Sequence, residues 1–139
     1  MTNEYIEAIS QNKTEREWVD FAERKAVAAG FKSFEAGRKY KPGDKVYFIN
    51  RRKNFAAFIV GKNPEYNILG AHIDSPRIDI KQAALTDNDD IAYFDTHYYG
   101  GIKKYQWVTL PLALHGVVCK PNGTTINVNI GDNPGDPVF

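Results

Sequence analysis

Two apolar runs, KVYFIN (45–50) and FAAFIVG (55–61), are separated by only the polar residues RRKN. A connection that short joins strands as an antiparallel hairpin, because a parallel crossover needs roughly a dozen residues or more. The turn signal KPGD (41–44) opens the first strand. Upstream, TEREWVDFAERKAVAAG (14–30) reads as one helix. Thr14 and Glu17 have capping-box spacing, and Trp18, Phe21 and Ala22 recur at helical intervals. Gly30 is a suitable stop. An earlier short helix places Tyr5, Ile6 and Ile9 on one side.

Beyond the hairpin, YNILGAHIDS (66–75) reads as a third strand ended by Pro76, and RIDIKQAAL (77–85) as a fourth. TDNDD (86–90) is a solvated turn. The remainder is expected to be all-β, its short runs joined by Gly, Pro and Asn without a helix signal. The expected organisation is a mixed α/β part over residues 1–82 and a β-rich part over 83–139. The final Val138 and Phe139 resemble the start of another strand; natural chains can end this way, and a chain cut from a longer one would look the same.

The formal charge is +1, with 18 basic and 17 acidic residues, which leaves no electrostatic footprint for nucleic acid or an anionic membrane. No apolar run approaches the ~20 residues that span a bilayer. The first ten residues, MTNEYIEAIS, lack the basic and apolar regions of a secretory signal. Cys119 is the single cysteine and has no internal disulfide partner. A cytoplasmic protein is the expectation.

The chemistry concentrates in GAHIDSPRIDIK (70–81). In a strand, His72 and Asp74 project to one face while Ala71 and Ile73 project to the other. Open α/β sheets place their sites at strand C-termini, where Pro76 would put this pair. A carboxylate beside an imidazole can orient it as a metal ligand and raise its basicity, and zinc suits such donors. A His-x-Asp is also short and common, and a histidine at a strand end can simply be hydrogen-bonded. One histidine is short of the three or four ligands a zinc site needs. Ser75 lacks the glycine pattern of a nucleophile elbow.

GAHIDSPRIDIK resembles the motif of the aspartyl-aminopeptidase family of zinc metallopeptidases. HYYGGIKKYQWVTLPLALHGVV (97–118) is similar to that family's Tyr-Gly-Gly segment, and INVNIGDNPGDPVF (126–139) to its next stretch. The resemblance implies that His72 is the first zinc ligand and Asp74 the catalytic aspartate. It implies a two-zinc enzyme that hydrolyses N-terminal residues from peptides. The other ligands and the general-base glutamate would lie downstream of Phe139. It further implies that residues 1–82 begin a catalytic α/β domain. Residues 83–139 would begin an inserted β-rich dimerisation domain through which the protein forms a homo-oligomer. IKKYQWVTLP (102–111) departs from the family pattern where an inter-subunit contact and a preference for acidic substrates reside. Tyr105 stands nearest the usual polar position, and Thr109 and Pro111 replace acids, as in a divergent bacterial-type branch.

The competing reading is a non-catalytic fragment or assembly module without a complete metal site. Among the remaining candidates, His97 reads as a loop histidine and His115 as a satisfied core or edge residue. Asp87 to Asp90 lack the glycine and terminal glutamate of a calcium loop. Arg51, Arg52 and Lys53 form a solvated hairpin tip. Lys81 either pairs with an acid or edges the site.

Overall fold

A computed structural model describes residues 3–139, with Asn88 described by its backbone alone. The chain divides into two compact units, residues 1–74 and 75–139. The expected boundary after residue 82 falls inside a strand that begins at Arg77.

The first unit opens with helices α1 (Asn3–Gln11) and α2 (Glu15–Ala28). Thr14 caps α2 as its spacing implies: its hydroxyl accepts from the Glu17 amide at 3.3 Å, and the Glu17 carboxylate accepts from the Thr14 amide at 2.8 Å. Two donors otherwise left open at the helix start are thereby satisfied. The expected hairpin is present as β2 (Lys45–Asn50) and β3 (Asn54–Ile59), paired antiparallel from Lys45↔Ile59 to Asn50↔Asn54. A parallel bridge from β1 (Lys32–Ser33) to β2 completes a three-stranded sheet in the order β1-β2-β3.

The core of this unit lies between α2 and β2. Val19 and Val46 are fully buried, and Ala26 and Tyr47 are nearly so. The Tyr47 hydroxyl donates to Glu23 on α2 at 2.9 Å, and that hydrogen bond raises the hydroxyl's pKa above its ordinary value. The basic hairpin tip is not merely solvated: Arg52 pairs with Asp20, and Lys53 lies 3.5 Å from Glu15.

The second unit contains two hairpins. Strands β4 (Arg77–Asn88) and β5 (Ile91–Tyr99) turn at Asp89 and Asp90, both at positive φ, and their register shifts between Ile80 and Leu85. The solvated turn is thus narrower than TDNDD, because β4 continues to Asn88. Strands β6 (Leu114–Cys119) and β7 (Thr125–Ile130) pair from Leu114↔Ile130 to Cys119↔Thr125. Leu112 and Phe139 exchange backbone hydrogen bonds of 2.9 and 3.1 Å, so the last residue does pair as a strand would.

One short helix, α3 (Lys104–Trp107), corrects the all-β expectation for this region. It is a single turn whose N-cap, Lys103, makes no side-chain capping bond, so it left no capping signal in the sequence. Among the described residues, every buried apolar side chain belongs to the first unit. The hairpins of the second expose Leu85, Ile91, Tyr93 and Tyr98.

Candidate metal centre

The expected strand over residues 66–75 is absent: residues 65–76 are neither helix nor strand. Tyr66, Ile68 and Leu69 are 80%, 78% and 102% exposed. A strand exists only as one side of a hydrogen-bonded ladder, and none of the described sheets extends to this segment. Apolar residues alone therefore did not make it one.

His72 and Asp74 nevertheless meet. The His72 Nδ1 lies 2.7 Å from the Asp74 carbonyl oxygen and 3.1 Å from its Oδ1. A carbonyl oxygen only accepts, so Nδ1 carries the proton and donates it. The neutral imidazole then has its lone pair on Nε2. This is the arrangement of a metal-binding histidine, one nitrogen tied back to a carbonyl or carboxylate and the other open for coordination. The imidazole is 77% exposed, while the Asp74 side chain is 26% exposed. The pair fits zinc as one ligand with its orienting partner. Among the described residues no group of three or more His, Cys, Asp or Glu side chains could hold a metal ion.

The other candidates lie elsewhere. His97 Nδ1 sits 3.3 Å from the Tyr98 carbonyl on an exposed strand. His115 lies on β6 with its side chain 5% exposed and its Nε2 2.9 Å from Asp132. Lys81 pairs with Asp95 at 2.9 Å across the β4–β5 hairpin, which resolves its role in favour of an acid partner. One network escaped the sequence reading: Arg77 reaches both Asp79 and Tyr99. The i, i+2 spacing of Arg77 and Asp79 was its available signal.

Residues 8–139 match the model of the M18 family, described as aminopeptidase I zinc metalloprotease. The chain belongs to this family. The probable M18 family aminopeptidase 1 of Clostridium acetobutylicum is 53% identical over 138 residues, which cover 94% of this chain and 30% of that protein. The crystal structure of aminopeptidase I from Borrelia burgdorferi aligns with a TM-score of 0.89 at 45% identity, covering 94% of this chain and 33% of the other. The M18 aminopeptidase of Thermotoga maritima aligns with a TM-score of 0.89 at 46% identity, over 97% and 30%. At 24% identity and a TM-score of 0.74, the S. cerevisiae mApe1 dodecamer shares the fold. This M18 chain therefore spans about a third of the relatives it matches.

Proposed function

We propose that these residues form the N-terminal portion of a zinc aminopeptidase that removes N-terminal residues from peptides. The observation that carries this reading is the His72 tautomer, fixed by Asp74 with Nε2 open. In the complete protein His72 would hold one of two zinc ions through Nε2. Bound zinc would supply Lewis-acid activation of the peptide carbonyl. Asp74 would act as the catalytic aspartate by holding the Nδ1 proton, fixing the ring plane and raising the basicity of Nε2. The remaining ligands and the general base would come from outside these residues.

The domain reading is that residues 1–82 open the catalytic domain and 83–139 open an inserted β-rich dimerisation domain. The apolar side chains exposed on β4 and β5 suit such a role, since extended uncovered apolar faces commonly mark association surfaces. The dodecameric state of the yeast mApe1 structure supports homo-oligomer formation. A free, exposed Cys119 is in keeping with a cytoplasmic location. The alternative, that these 139 residues alone are non-catalytic, is favoured for the isolated chain by the lack of a three-ligand cluster among the described residues.

The test is an aminopeptidase assay on the full-length protein with a panel of N-terminal aminoacyl substrates. Turnover should disappear on dialysis against a chelator and return with zinc. Undiminished turnover by metal-free protein would contradict the proposal.

A further inference from the structure

We propose that the cavity between the end of α2 and the loop ahead of β2 binds a small anion carrying a phosphate group, held by Lys32, Arg38 and Lys45. It stands apart from the His72–Asp74 segment, since no residue of 70–81 lines it.

The sequence concentrates charge here. Residues 32–45, KSFEAGRKYKPGDK, hold five basic and two acidic residues, a net +3 in a chain whose total is +1. The fold gathers Lys32, Arg38 and Lys45 around one cavity of about 360 Å³. Small-molecule sites run from roughly 300 to 1,000 Å³. The walls are fixed by backbone structure. Gly30, at φ +83°, turns the chain after α2. Lys32 then pairs in parallel with Val46, beside the strand that carries Lys45. On the other side the Gly43 amide donates to the Val60 carbonyl at 2.8 Å, and the Val60 amide to the Asp44 carbonyl at 2.9 Å. Fully buried Val46 adds an apolar lining from the core. A site built in this way needs little ordering when a ligand arrives.

Its cations are only partly engaged. Lys32 has no hydrogen bond or ion pair among the described residues. Lys45 Nζ donates to the Ala29 carbonyl at 2.9 Å, and an ammonium has further protons to give. Arg38 reaches Glu35 through Nη1, at 3.4 Å, and its side chain is 43% exposed. Its guanidinium lies 5.5 Å from the Tyr40 ring centroid. Tyr40 also stacks on Phe34, and its hydroxyl accepts from the Glu35 amide at 2.7 Å. With two neighbours already against it, this ring is not offered to a nucleobase. The carboxylate in the lining, Asp44, is engaged by the Lys41 amide at 2.8 Å. A cleft lined mainly by one sign of charge concentrates counter-ions. A forked guanidinium beside ammonium groups matches the oxygens of a phosphate.

Calorimetric titration of the full-length protein tests this, with metal removed so that phosphate on zinc contributes nothing. The probes are inorganic phosphate and glucose 6-phosphate, with glucose as the blank. Saturable binding at one site per chain is expected for the phosphate probes and none for glucose. Lys32→Met and Arg38→Met should each weaken it by about 10-fold, because a hydrogen bond to a charged group is lost. Lys81→Met, which removes a cation outside the cavity, should leave it unchanged. Lys32 and Arg38 are exposed, so Tm should stay at the wild-type value; if one variant fails to accumulate, the other decides. Tighter binding of glucose 6-phosphate than of inorganic phosphate assigns the group to a phosphorylated metabolite, and the reverse order to the free ion. No saturable binding, wild-type affinity in the cavity variants, or an equal loss in Lys81→Met would overturn the proposal.

Discussion

At His72 the decisive atom is Nδ1. Its 2.7 Å contact to a carbonyl puts the proton on Nδ1, leaving Nε2 as the nitrogen that would coordinate zinc under the proposed function. Under the proposed function, His72→Ala in the full-length protein should lower zinc content, because the variant would lose an inner ligand; metal analysis of the purified variant checks this, and unchanged zinc occupancy would remove His72 from the proposed ligand set. Asp74→Asn should retain most of the zinc and lose activity by about 10–100-fold, as a change beside a ligand does. The comparison of kcat with zinc content separates the two residues. The His-x-Asp pair stood out in the sequence, but the strand expected to bring both side chains to one face is absent, and the ring is tied back instead to the Asp74 carbonyl and carboxylate. The contact of Arg77 with the Tyr99 ring was not legible there. It crosses from β4 to β5, and the register that brings Tyr99 to Arg77 is set by the whole hairpin.

Elements defined by local signals were the most readable. The capping box at Thr14 and the short polar link before β3 each specify a structure within a few residues, and both are present. Thr14→Ala should cost the start of α2 about 1 kcal/mol, seen as faster amide hydrogen exchange at Glu17 and Trp18. Elements that depend on distant partners were less readable. The bridge at β1 needs β2, and the apolar run at 66–69 needs a ladder that the described sheets do not provide. The turn after β7 carries a pH dependence. Asp136 accepts from the Gly131 and Asn133 amides at 3.0 and 3.1 Å, and these bonds hold its carboxyl below the ordinary 3.8. Its contribution to this turn is therefore fully present above that ordinary value and is lost as pH falls through the lower folded value. An NMR titration should show the Gly131 and Asn133 amides shifting together in acid, below the range where a free aspartate titrates. Asp136→Ala should abolish that shared transition.

At the scale of the whole molecule, the family, the N-terminal helix and the hairpins could be read from the sequence, while a complete metal site could not, because no group of three or more His, Cys, Asp or Glu side chains among the described residues could hold a metal ion. The M18 relatives are about three times as long as this chain. A catalytic zinc site takes three protein ligands and a structural one four. His72 alone falls short of both. The most direct measurement of this account is a calorimetric zinc titration of residues 1–139, paired with an aminopeptidase assay on the same sample and on the full-length protein. The account predicts no stoichiometric zinc binding and no hydrolysis by the isolated chain, with chelator-sensitive turnover by the full-length protein. Tight binding of two zinc ions by residues 1–139, or chelator-sensitive turnover by them alone, would contradict it.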